Sequence, residues 1–170
     1  MSPHRENGRK TITAIVETPR GSRNKYKFDE KSGRLKLSKV MPEGMIFPYD
    51  FGFVPDTEGD DGDPLDVLLL SDASTFPGCA VDCRLIGVLE AEQTEAGKTY
   101  RNDRILAVAE VSVLYAEVEE LSDLDATLLH QIEDFFVNYQ KVRDVGYRVI
   151  GREGSRAAHE LLRKGARKAA

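Results

Sequence analysis

Six carboxylates fall within eleven residues at 56–66, DTEGDDGDPLD, and no cation stands among them. Like charges packed that closely repel by kcal/mol amounts unless water or a metal ion screens them. The segment runs straight into the apolar stretch DVLLL at 66–70, which puts Asp66 at the mouth of a buried strand. Gly62 and Pro64 bend the chain between the acids, so Asp61, Asp63 and Asp66 converge where an unbroken strand would splay them. Hard oxygen donors of this kind select Mg²⁺, Mn²⁺ or Ca²⁺ over zinc. An EF-hand does not fit. Counted from Asp56, the sixth position is Asp61 where glycine is required, and the twelfth is Val67 where glutamate is required. A solvated acidic loop is the plainer alternative, and the position of Asp66 argues against it.

Other reactive templates fail. GYRVIGRE at 146–153 has the glycine spacing of a phosphate-binding P-loop, but arginine follows where Lys-Ser/Thr is needed. His4, His130 and His159 are scattered and open no HExxH zinc motif, and no serine sits in a G-x-S-x-G elbow. The basic end LLRKGARKAA reads as a solvated last helical turn, where Lys and Arg are favourable, and not as a nucleic-acid surface. Net charge is strongly segregated. Residues 1–41 carry eleven Lys/Arg against four acids, 42–138 four against twenty-two, and 139–170 nine against three. Basic ends folded over an acidic middle would hold cations and an anion at one place.

The elements that must position these groups follow from hydrophobic period. TITAIVE at 11–17 reads as a strand, and NKYKFD with RLKL around Ser32-Gly33 as a hairpin over 24–37. The Pro- and Gly-rich stretch 41–59 is a winding loop around a short strand at 50–54. DVLLL is a buried strand, and 81–90 and 104–113 are long strands joined by the polar turn EQTEAGKT. Then the period changes: Leu124, Leu128, Ile132, Phe135 and Tyr139 mark one face of a helix, with Ser122 as its N-cap. A second helix covers 154–165, with Ala157, Ala158, Leu161 and Leu162 inward.

Short strands followed by two helices predict a mainly β fold with flanking helices (α+β): a small closed β-barrel with both helices outside. With 170 residues, 41% of them hydrophobic, one core is expected: a polar tail at 1–10 and a single domain at 11–170. No apolar run approaches the ~18–20 residues of a membrane span, and MSPHRENGRK is not a secretory signal. Cys79 and Cys83 cannot staple such a domain, which suits a reducing, cytoplasmic setting.

At DGDPLD the chain resembles the soluble family I inorganic pyrophosphatases, whose signature D-x-D-P-x-D opens a strand. IVETP at 15–19, NKYKFD–SGRLKL, MIFPYDFGFV at 45–54 and the late helix IEDFFVNYQ are similar to further segments of that family. The resemblance implies an OB-like five-stranded barrel and Mg²⁺-dependent hydrolysis of pyrophosphate to two phosphates by direct attack of water. Mn²⁺ is a possible substitute. It implies that Asp61 and Asp66 ligate metal, that Asp63 is the general base, and that Glu17 helps hold an outer ion. Lys25 and Tyr139 would bind phosphate oxygens, and a homo-oligomer, commonly a hexamer in bacteria, is expected.

Several positions depart from the family pattern. Lys27 stands where glutamate is usual, Lys39 where arginine is usual, and Phe47 and Phe51 where tyrosines are usual. By register with ILAV, Thr94 and Asn102 fill two aspartate positions of a later metal loop, and Arg104 fills its lysine. Asn102 and Asp103 cannot both face the site from a regular strand, so either Asn102 or a bulged Asp103 is the ligand. Gln140 replaces the usual lysine beside Tyr139, and Lys141 compensates only if the helix ends there. A same-fold hydrolase of another phosphoanhydride or phosphorylated metabolite, and a catalytically silent binding protein, stay open as alternatives.

Overall fold

The stretch at 66–70 is unbroken by polar residues because both of its faces are covered. In the computed structural model, which describes residues 10–170, it forms β5 (Asp66–Leu70). Val67 and Leu69 join one buried cluster and Leu68 and Leu70 another. The same alternation runs through β8 (Arg104–Ala109), where Ile105 and Ala107 face one way and Leu106 and Val108 the other. Each fully buried aliphatic side chain there contributes about 1.5–3 kcal/mol. The polar tail expected at 1–10 lies, apart from Lys10, outside the described residues.

The remaining strands are β1 (Thr11–Thr18), β2 (Asn24–Asp29), β3 (Arg34–Val40), β4 (Asp50–Phe53), β6 (Ala80–Glu95), β7 (Lys98–Arg101) and β9 (Gly146–Gly154). Five strands close on one another. β1 pairs with β4, β4 with β5, β5 in parallel with β8, β8 with β6, and β6 back to β1. This ring, with two helices against it, is the mainly β architecture the sequence predicts. The hairpin β2–β3 stands apart as a two-stranded sheet.

Three expectations need correction. The long helix α1 runs Ala126–Val142, and its N-cap is Asp125, whose carboxylate accepts from the backbone N–H of Thr127 at 2.8 Å. Ser122 sits instead in a 3-10 turn, Leu121–Asp123, so the helix begins about a turn later than its apolar pattern suggests. Its most buried face is Leu129, Ile132, Phe136 and Tyr139, with Leu128 and Phe135 half-buried at the margin. The supposed polar turn after 81–90 is mostly strand. β6 continues to Glu95, and Ala96 and Gly97, both at positive φ, make the tight reversal into β7. Finally, the strand expected over 104–113 stops at Ala109, while the segment 146–153, rightly rejected as a P-loop, lies in strand β9, antiparallel to the distal half of β6. The second helix, α2, spans Ser155–Ala169 and buries Ala158 and Gly165.

Candidate active site

The acidic segment 56–66 is a loop closed at its base. Thr57 Oγ1 donates to the Val54 carbonyl at 2.6 Å and accepts from Leu65 N at 3.0 Å, while Val54 N donates to the Leu65 carbonyl at 2.9 Å. Within it Gly62 takes φ +81°, which an L side chain adopts only with strain, and Asp63 N donates to Asp61 Oδ1 at 3.0 Å. This turn presents Asp61, Asp63 and Asp66 along one wall of a cavity of about 590 Å³. Glu17 joins them because of a β-bulge. The β1–β4 register slips between Val16 and Thr18, and the intervening Glu17 carboxylate accepts from Phe28 N at 2.6 Å. Burial raises the pKa of Glu17 and of Asp61 above the usual carboxylate range, against the lowering effect of their backbone hydrogen bonds.

The same cavity is also lined by cations. Lys25 on β2 lies directly across from Lys39 on β3, a like-charge pair that costs stability unless an anion sits near it. Burial lowers the pKa of Lys39, and the charges of Arg143 and Lys25 lower it further. Lys25 Nζ lies 5.4 Å from the ring centroid of Tyr139, with the Arg143 guanidinium 5.9 Å from the same ring. The Tyr139 hydroxyl is buried with no hydrogen-bond partner. An orphaned hydroxyl on a ring flanked by two cations is what a bound phosphate oxygen would satisfy.

Neutral amides and one arginine form the remaining surface. Asn102 donates to Gln93 Oε1 at 2.6 Å, Gln140 donates to the same oxygen at 3.4 Å, and Gln93 donates to Tyr100 Oη at 2.8 Å. Arg104 donates to Asn102 Oδ1 at 2.9 Å and forms an ion pair with Asp66. Lys27 Nζ lies 3.1 Å from Asp63 Oδ2.

Of the eleven site residues proposed from the sequence, nine line this one cavity: Glu17, Lys25, Lys39, Asp61, Asp63, Asp66, Asn102, Arg104 and Tyr139. Two do not. Asp103 lies outside it: Asn102 and Asp103 form the two-residue link between β7 and β8, and the Asp103 carboxylate takes the Ala91 N–H and the Arg101 guanidinium, each at 3.0 Å. Lys141 is exposed, because α1 continues past Tyr139 to Val142 and turns it about 200° away. Arg143, the C-cap residue, comes back into the cavity instead. The sequence reading missed it, along with Gln93 and Tyr100.

The inorganic pyrophosphatase family model matches residues 14–170. The chain belongs to the inorganic pyrophosphatase family. It is 36% identical over 156 residues to the inorganic pyrophosphatase of Methanosarcina acetivorans, covering 92% of this chain and 90% of that one. It is 39% identical over 140 residues to that of a Nostoc species, covering 82% and 80%. The solved inorganic pyrophosphatase of Coxiella burnetii superposes with a TM-score of 0.87 at 31% identity, covering 95% of this chain and 96% of that one.

For a member of the inorganic pyrophosphatase family, the donor set bears directly on metal. Asp61, Asp63 and Asp66 offer only anionic oxygen, which fits a hard divalent cation. The set is thin: among the described residues, no three His, Cys, Asp or Glu side chains gather into a ready-made metal cluster. The cationic lining gives a separable expectation. Tyr139→Phe removes a buried hydroxyl that the protein leaves unpaired, so thermal stability should hold or rise slightly. The KM for pyrophosphate should rise about tenfold, the loss of one hydrogen bond of ~1.4 kcal/mol. A melting curve and a Michaelis series on the same preparation check both, and an unchanged KM rules out the hydroxyl as a phosphate contact.

Proposed function

We propose that this chain hydrolyses inorganic pyrophosphate to two phosphates, using Mg²⁺, or Mn²⁺ in its place, held by Asp61 and Asp66 with help from Glu17. The observation that carries this reading is one cavity lined by four carboxylates, Glu17, Asp61, Asp63 and Asp66, and by the cations Lys25, Lys39, Arg104 and Arg143. Pyrophosphate brings roughly three to four negative charges, so carboxylates alone would expel it. When bound, a divalent cation supplies an acidified water and offsets charge on the phosphates.

The chain's own residues do the rest. Lys25, Lys39 and Arg143 draw the substrate into the cavity, and Tyr139 Oη donates to one of its oxygens. Asp63, with more than half of its side chain exposed, is open to water and accepts a proton from it as general base. Lys27 steadies the carboxylate through Oδ2. Water attacks phosphorus directly, and no covalent enzyme intermediate forms.

The test is phosphate release from pyrophosphate by the full chain with Mg²⁺ and with Mn²⁺, beside nucleotides and sugar phosphates. Release from pyrophosphate well above a heat-killed control is expected. No release with either ion, or release from another substrate alone, overturns the reading.

We further propose that 11–170 act as one domain that assembles with copies of itself in the cytoplasm. Val111, Val113 and Leu114 are largely exposed, yet Asp72 pins their loop, accepting from Ser112 Oγ at 2.6 Å and Val113 N at 3.0 Å. An ordered exposed apolar patch of this kind supports a self-association surface. Cys79 and Cys83 are free thiols, in keeping with a reducing compartment, and no helix among the described residues is long and apolar enough to cross a membrane. Light scattering at the mass of one chain would refute the assembly.

A further inference from the structure

A guanidinium already lies inside the acidic cradle. Arg104 opens β8, and its side chain is only 4% exposed. Its Nη1 reaches both the Asp66 carboxylate and, at 2.9 Å, Asn102 Oδ1. The guanidinium carbon is 5.6 Å from the ring centroid of Phe51, 5.3 Å from Phe136 and 5.7 Å from Tyr147. Three aromatic faces therefore hold the charge in place independently of Asp66. Its Nε is buried without an acceptor. That leaves a donor unspent in a residue that lines the cavity.

The acids around this charge are correspondingly few. Asn102 is neutral and its carbonyl oxygen is already engaged by Arg104, while its amide nitrogen belongs to the Gln93–Gln140 network. Asp103, next to it in the link between β7 and β8, is committed to Arg101. A divalent ion approaching Asp66 meets a cation that cannot lose its proton and is packed too tightly to swing away. Repulsion between the two weakens metal binding at that carboxylate.

We infer that Arg104 is a resident cation that shares Asp66 with the metal and does part of the metal's charge-neutralising work. The chain without substrate then binds a single divalent ion, and weakly. This rests on the reading of Asp61 and Asp66 as metal ligands. Arg104 takes the share of substrate charge that further ions would otherwise carry, and the amide network around Asn102 keeps those ions out.

The test counts Mn²⁺ bound to the full chain, without substrate, by electron paramagnetic resonance and equilibrium dialysis. The wild type should bind one ion per chain. Arg104→Gln should bind it about tenfold more tightly, a change of ~1.4 kcal/mol. The double variant Asn102→Asp/Arg104→Gln should gain a second ion. Two or more ions on the wild type overturn the inference, and that count does not depend on either variant folding. Folded variants, judged by melting curves, that bind as the wild type does overturn it too. If neither the wild type nor the variants bind any ion, the reading of Asp61 and Asp66 as ligands fails as well, and the two failures are thus told apart.

Discussion

Asp63→Asn is expected to lower the rate of phosphate release from pyrophosphate by ~10²–10⁴-fold, the range for losing a positioned general base. The amide keeps the shape of the carboxylate and cannot take a proton from water. Little else should change. Asp63 is exposed, and its ion pair with Lys27 is half-exposed on both sides, so the pair adds at most about 1 kcal/mol to stability. The backbone N–H of residue 63, which fixes Asp61 through a 3.0 Å hydrogen bond, is untouched by the substitution. Mn²⁺ binding and the melting temperature should therefore stay at wild-type values while turnover collapses. Lys27→Met separates the two ways Asp63 could matter: if the loss came only from releasing Lys27, that variant would reproduce it. A loss below tenfold in Asp63→Asn excludes the general-base role.

The acidic loop that carries Asp63 was legible in the sequence because it depends on local geometry. Gly62, Pro64 and the strand beginning at Asp66 are neighbours along the chain, so the bend that brings the acids to one cavity is set by adjacent residues. The β2–β3 hairpin was readable for the same reason, since Ser32-Gly33 fixes the reversal. What escaped depends on distant partners. β9 exists because the far half of β6 offers it an edge, from Gly87 opposite Gly154 to Thr94 opposite Gly146. Its own sequence, with glycines at both ends and in the middle, carries little strand signal. Strand alternation could not say which of Asn102 and Asp103 faces the cavity, because both lie in the short link between β7 and β8. Arg101 and the Ala91 N–H decide that by capturing Asp103. Arg143 was hidden by a helix end: a cation one residue past α1 returns to the cavity because the helix stops at Val142. The start of α1 was misplaced because Ser122 and Asp125 both suit an N-cap, and the 3-10 turn before the helix takes the first of them.

Gly52→Ala should be the most damaging single-methyl change in the fold. A Cβ at Gly52 would run into the Ile15 carbonyl oxygen and come within 2.8 Å of the Ile15 carbonyl carbon and 2.9 Å of Val16 Cα. All three are backbone atoms, so no side-chain rotation relieves the clash. The approach is close because β1 bulges there, with Val16 opposite Gly52 and Thr18 opposite Phe51. β1 cannot simply retreat, since Thr11–Ile15 also pair with β6 and hold the ring closed. The cost is placed at about 3 kcal/mol or more, the upper end for overpacking, or a fall of roughly 6–12 °C in melting temperature. Gly97→Ala is the control: its φ of 75° strains a side chain, but a Cβ there meets nothing within 4 Å. It should cost only about 1–2 kcal/mol. The bulge that crowds Gly52 also aims Glu17 into the cavity, so relief of the clash must displace that carboxylate. Gly52→Ala protein that still folds should therefore need more Mg²⁺ for half-maximal turnover, whereas Gly97→Ala should not. A melting temperature within about 2 °C of wild type would mean that β1 and β4 separate freely, and that the bulge does not fix Glu17.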